Sequence, residues 1–324
     1  MEMFSFYNVE NLFLPDPKPL HRLDPTKSGL KGWDEKRYRN KLFKISHVFQ
    51  LIKEENGALP FLIGLSEVSG RKVLEDLVEM EPFNSEYGIV HYNSMDERKV
   101  DVAMLYHKDK VEIIDSETIT FFFEIINRKN TENYDTTRDV LFSKIKYKET
   151  VVNVFIAHLP SKREKDVNKP KRDFILNEIR NRILKIVGSE KEHVILCGDF
   201  NENPDDENLV KILYDNKQEK VLVNPFQELF NTRNYSTFHY KSGLLYDQII
   251  ISKSLFDNDA LSFQSAHIFN SEKISSQVRN FEGRPFRTYA GTRYLGGYSD
   301  HFPVFVKFEE NKNINKKVEN EKFK

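Results

Sequence analysis

Five strand-like runs, at 87–92, 100–106, 111–126, 140–147 and 151–158, follow one another through the middle of the chain with no helical pattern between them. They are rich in β-branched and aromatic residues, and runs of that composition and length are strands. Further strands are expected at 61–65, at the run ending in Gly198, and at 235–240, 246–251 and 303–308. Helical periodicity is confined to the flanks. Tyr38, Leu42, Ile45, Phe49 and Ile52 step by 4, 3, 4 and 3 residues, one face of an amphipathic helix. A second helix is expected from about Lys72 to Met80, and Phe174, Ile175, Ile179, Ile183 and Ile186 mark a third. Consecutive strands flanked by helices predict two mainly antiparallel sheets packed face to face with helices outside, an α/β sandwich.

With 324 residues, 39% hydrophobic and 13% aromatic, the chain can bury a large core, and we read residues 1–308 as one domain. Residues 309–324 are Lys, Asn and Glu almost throughout and are expected to form a disordered tail. A net charge of −1 gives no global attraction to nucleic acid or to an anionic membrane, so an anionic substrate must be met locally. No apolar run approaches membrane-spanning length, and no stable membrane association is expected. The chain as written reads as cytoplasmic, or secreted if a signal peptide has been removed. Its single cysteine, Cys197, lies inside the apolar run His193-Val194-Ile195-Leu196-Cys197, which points to a buried, inert thiol.

Chemistry concentrates where apolar runs end. Glu67 closes the run Phe61-Leu62-Ile63-Gly64-Leu65-Ser66, where burying a carboxylate requires a cation or donor nearby. A divalent metal or a salt bridge to Arg or Lys would serve. Asn8 lies in Phe6-Tyr7-Asn8-Val9-Glu10-Asn11, as a metal ligand or as an Asx turn. In Gly198-Asp199-Phe200-Asn201 the glycine would permit a tight turn that aims Asp199 and Asn201 at one place, although Asp and Asn after a strand also form ordinary turns. His158 ends a strand. Asp247 opens another, and Tyr298-Ser299-Asp300-His301-Phe302-Pro303 precedes the last.

Taken in order, Asn8, Glu67, Arg138, His158, Asp199-Phe200-Asn201, Asp247 and Ser299-Asp300-His301 resemble the motifs of the endonuclease/exonuclease/phosphatase superfamily, the deoxyribonuclease-I-like hydrolases. The segment from Phe286-Arg287-Thr288-Tyr289 to Gly296-Gly297-Tyr298-Ser299-Asp300-His301 is similar to a bacterial branch of it. That branch commonly has Asn-His-Trp where this chain has Ala157-His158-Leu159. The resemblance implies a four-layer α/β/β/α sandwich with the site at one edge of the paired sheets.

It also implies roles. Asn8, Glu67 and Asp300 would hold Mg²⁺, with Mn²⁺ as a substitute, and Glu10 would reach the ion through water. Asp199 would orient or deprotonate the attacking water. Asn201 would hydrogen-bond the developing oxyanion, His158 would donate to phosphate, and Arg138 would face two phosphate oxygens, unless it pairs with Asp139. His301 would take Asp247 as its partner, which would raise the imidazole pKa.

Two stretches read as substrate rim: Lys162, Arg163, Lys165, Lys169, Lys171 and Arg172 after His158, and Arg279, Arg284, Arg287 and Arg293 interleaved with Phe281, Phe286, Tyr289, Tyr294 and Tyr298. Cations neutralise phosphates and aromatic faces stack bases. The expected function is a Mg²⁺-dependent phosphoesterase, first of all a nuclease cutting phosphodiester bonds in nucleic acid. A phosphatase or phosphodiesterase for small substrates such as inositol phosphates or lipid headgroups is the alternative, and a non-catalytic binding module of the same fold a third.

Overall fold

The structure, a computed structural model, describes residues 1–18, 27–124, 134–162, 165–187 and 192–310. Two six-stranded sheets dominate it. From edge to edge the first runs Ser262–Ile268, Val304–Glu309, Glu2–Leu12, Leu62–Val68, Asp101–His107, Tyr87–His91. The second runs Leu222–Val223, Asp247–Ser252, Glu192–Asp199, Thr150–His158, Val140–Tyr147, Val111–Ile119. Each contains a single parallel pair, Glu2–Leu12 with Leu62–Val68 and Thr150–His158 with Glu192–Asp199. A helix bridges each of these pairs, as a parallel crossover demands, and all other neighbours are antiparallel.

Side-chain alternation sorts the strands into layers. Phe4 and Phe6 enter the core between the sheets, where they meet Val154, Ile156, Ile195 and Cys197. Met3, Tyr7 and Val9 point the other way, into a core shared with Leu42, Ile45, Phe49 and Ile52 of helix Glu35–Asn56. Phe155, Ala157, Val194 and Leu196 face a third core with Ile175, Ile179 and Ile183 of helix Lys169–Ile186. Three cores between four layers make the expected α/β/β/α sandwich.

Several boundaries differ from the sequence reading. The run expected to be one strand over 111–126 ends at Ile119; Phe122–Glu124 begins a small hairpin with Tyr134–Thr136, and residues 125–126 lie outside the described residues. Phe174, expected on the buried face of its helix, is half exposed and packs edge-on against Phe121 and Phe123. Glu309, expected in the tail, pairs with Ser262 in the last strand, and residues 311–324 lie outside the described residues. Cys197 is fully buried as a free thiol.

Candidate functional site

Glu2–Leu12, Leu62–Val68, Thr150–His158 and Glu192–Asp199 all end at the same edge of the sandwich. Asp247–Ser252 and Val304–Glu309 begin there, because they run antiparallel to their neighbours. Polar residues at those positions therefore converge. Asp199 is the hub: its Oδ2 accepts from Asn8 Nδ2 at 3.0 Å and its Oδ1 from the Asn201 amide at 3.0 Å. His158 Nε2 stands 3.7 Å from Asp199 Oδ2 and 3.9 Å from Glu67 Oε1, and His301 Nε2 stands 3.8 Å from Asp199 Oδ2.

His301 and Asp247 form a tight pair, with 2.7 Å between Nδ1 and Oδ2. Ser236 Oγ donates to the same carboxylate oxygen at 2.6 Å, while Asp247 Oδ1 is buried with no hydrogen-bond partner. Burial would lower the His301 pKa, but the carboxylates of Asp247, Asp199 and Asp300 outweigh it and hold the ring well above the ordinary imidazole range. Burial pushes Asp199 up to about 6 against the pull of His301, and Asp247 adds to the rise. His158 moves the other way. Burial together with Arg138 and Arg98 keeps it well below the usual value, and its Nδ1 is buried without a partner.

Glu67 emerges from its strand with φ of 64°, a left-handed conformation that turns the carboxylate toward the edge. Its Oε2 accepts from the Asn11 amide at 3.0 Å, and its Oε1 lies 3.6 Å from Arg98 Nη2. Asp300 Oδ2 takes Arg287 Nη2 at 2.7 Å. Among the described residues, the group of three or more His, Cys, Asp or Glu side chains whose ligand atoms all lie within 4.8 Å of one another is Asp199, Asp247 and His301. The Asp247–His301 hydrogen bond makes that trio a proton-handling arrangement as readily as an ion cage.

Beside this cluster opens a cleft of about 800 Å³ whose floor includes Asn201, Asp300 and His301. Arg284, Arg287 and Arg293 line it together with Phe238, Phe281 and Phe286.

The sequence profile of the Endonuclease/Exonuclease/phosphatase family matches residues 3–310, nearly the whole chain. The chain belongs to that family. Members of the endonuclease/exonuclease/phosphatase family are phosphoric ester hydrolases dependent on divalent metal. Solved structures carry the same fold. A mannosyl-6-phosphatase of Bacteroides thetaiotaomicron aligns with a TM-score of 0.58 at 17% identity over 95% of this chain and 100% of its own. D. rerio TDP2 complexed with single strand DNA product gives 0.55 at 14% over 95% and 98%. An endonuclease/exonuclease/phosphatase from Bacteroides vulgatus gives 0.56 at 16% over 95% and 99%. No curated protein sequence matches the chain.

Within this family member, several residues sit otherwise than the sequence suggested. Gly198 makes no turn: it is inside its strand opposite Ala157, where a Cβ would lie 2.1 Å from the Ala157 carbonyl oxygen. The turn is made by Asn201, with φ of 51°. Arg138 is buried: its Nε and Nη2 donate to the carbonyls of His158 and Leu159 at 3.0 and 3.1 Å, which fixes the backbone at His158, and its Nη1 lies 3.5 Å from Asp96 Oδ2, the acid that it meets in place of Asp139. Asn201 Nδ2 also donates to the Leu159 carbonyl, at 2.9 Å. Arg172, read as rim, is wholly buried and held by Glu202 at 2.7 Å and Asp166 at 2.6 Å. Arg163 lies outside the described residues.

Glu10 was expected to reach a metal through water. Its carboxylate instead accepts the amides of Thr288 at 2.6 Å and Tyr289 at 3.2 Å. Sequence reasoning missed its counterpart, Lys41. This lysine is fully buried, donates to Thr288 Oγ1 at 2.6 Å and also donates to the Tyr298 carbonyl. Burial lowers Lys41 to about 8 and raises Glu10 to about 7, and each opposes the shift of the other. The missed signal was positional: Lys41 falls on the apolar side of its helix, next to Leu42 and one turn before Ile45.

Proposed function

We propose that the chain is a divalent-metal-dependent phosphodiesterase that hydrolyses nucleic acid by attack of a water on phosphorus. The observation that carries this reading is the Asp247–His301 pair, whose free nitrogen lies 3.8 Å from the Asp199 carboxylate at the floor of an arginine-lined cleft. Asp199 is held by Asn8 and by the Asn201 amide, so its carboxylate is aimed before substrate arrives, and it takes the proton of the attacking water. His301, kept charged by Asp247, donates to a phosphoryl oxygen as negative charge develops there. His158 adds a neutral donor, its backbone pinned by Arg138.

The residues that would hold Mg²⁺, or Mn²⁺ in its place, are Asn8, Glu67 and Asp300. Their donors are hard oxygens, which suit either ion. The Glu67 and Asp199 carboxylates lie 3.9 and 3.7 Å from one neutral imidazole nitrogen, that of His158, a concentration of negative charge that suits a cation. When bound, the ion supplies a Lewis acid for the phosphoryl oxygen and lowers the pKa of water.

Purified protein with Mg²⁺ or Mn²⁺ is expected to hydrolyse bis(p-nitrophenyl) phosphate and oligonucleotides, and Glu67→Gln to lower turnover at least a thousandfold with unchanged circular dichroism. Parent-like activity in that variant overturns the metal assignment. The second reading, a phosphatase for small phosphoesters, is favoured by the fold shared with a mannosyl-6-phosphatase and by a cleft volume within the small-molecule range. Hydrolysis of mannose 6-phosphate or inositol phosphates with none of oligonucleotides would select it.

A further inference from the structure

The cleft has a second wall that the catalytic groups do not explain. It is the hairpin formed by Thr237–His239 and Ser242–Leu244, which places Phe238, Tyr240 and Leu244 opposite Val278, Phe281 and Phe286. Arg284 fastens the two sides. Its guanidinium carbon lies 5.1 Å from the centre of the Phe238 ring and 5.5 Å from that of Phe281, and its Nη1 donates to the Tyr240 carbonyl. The hairpin is stiffened from behind, because Gly243 has no side chain and the Tyr235 ring fills the space where a Cβ would sit, 2.0 Å away. At the hairpin tip Tyr240 is 88% exposed and stacks on His239, with ring centres 4.6 Å apart.

We infer that this cleft is a stacking subsite for an unpaired nucleobase, which places the cut beside a nucleotide outside any duplex. The inference rests on the phosphodiesterase reading and specifies its substrate. Flat rings and a guanidinium plane offer faces, and a base offers its own face only when no neighbour in a duplex covers it. A hexose phosphate would bring hydroxyls that need partners, whereas this wall is mostly ring carbon. The arginines beside the floor, Arg287 and Arg293, suit the phosphates on either side of such a base.

The test is a phosphorothioate trinucleotide carrying 2-aminopurine, titrated in Mg²⁺ against the full chain and read by base fluorescence. Stacking should quench it, and the same strand in a blunt duplex should bind at least tenfold more weakly. Phe281→Ala, whose side chain is half exposed, should weaken single-strand binding about tenfold, within the range of one lost base stack. Phe238→Ala should do the same if it folds; Phe281→Ala decides the matter if it does not. Equal affinity for strand and duplex, an abasic strand bound as tightly, or binding to phosphatidylcholine vesicles in place of the oligonucleotide would each overturn the subsite. Hydrolysis of bis(p-nitrophenyl) phosphate by the parent reports on the phosphodiesterase reading separately, so the two can fail independently.

Discussion

Asp247 governs two properties of one ring. Its Oδ2 fixes the His301 tautomer by accepting from Nδ1, and its charge raises the imidazole pKa against the effect of burial. The mechanism proposed above needs Asp199 ionised and His301 protonated. Since Asp199 titrates at about 6 and His301 well above its ordinary value, the rate should climb through about pH 6, level off, and fall only at higher pH. Removing the Asp247 charge removes what raises His301, so Asp247→Asn should shift the falling limb to lower pH and reduce kcat about a hundredfold. A parent-like kcat–pH profile in that variant would show that the pair does not act in turnover. Lys41 and Glu10 lend themselves to a different measurement. Lys41→Met removes the donor to Thr288 Oγ1 and to the Tyr298 carbonyl, together with the charge that favours ionised Glu10, and should cost about 1–3 kcal/mol in urea unfolding, whereas Lys41→Met with Glu10→Gln should recover part of that loss.

At the scale of elements, the close approach of Thr150–His158 and Glu192–Asp199 sets the distance between His158 and Asp199. Those two strands are in parallel register, with Asp199 opposite His158 and Gly198 opposite Ala157. A methyl group at Gly198 would overlap the Ala157 carbonyl, so Gly198→Ala should force the strands apart and destabilise the fold by about 2–4 kcal/mol. It should also lower activity in the fraction that remains folded, which combined urea titration and kinetics would separate. Most central strands were legible in the sequence as runs of β-branched and aromatic residues, whereas the edge strand Ser262–Ile268, only partly buried along its length, was not. The ordered polar residues at their ends were legible as well. What could not be read was where side-chain donors go once the chain closes: nothing local to Arg138 says that its fork meets the His158 and Leu159 carbonyls, and nothing local to Lys41 names Thr288. The turn assigned to Gly198 failed for a related reason, since glycine permits both a turn and a close strand contact, and only the neighbouring strand decides between them.

The whole molecule carries almost no net charge, and no helix among the described residues is long and apolar enough to cross a membrane. Attraction for a polyanion must then come from the few cations at the cleft. Binding of single-stranded oligonucleotide should weaken with salt by a slope of roughly 0.7 per phosphate engaged, and Arg293→Ala should remove about one such contact. An unchanged slope would place Arg293 outside the strand's path. The sheet order holds a last consequence, one of timing. Glu2–Leu12 lies between Leu62–Val68 and Val304–Glu309, and Ser5 hydrogen-bonds Val304 across 299 residues of sequence. A ribosome working at about 5–20 residues per second takes on the order of 15–60 s between Asn8 and His301. Until then the first strand keeps one edge unpaired, and Asp199 has no imidazole from His301 beside it. The Asp247–His301 pair and its approach to Asp199 thus come into being only once the segment around His301 has been made and has closed onto the first strand.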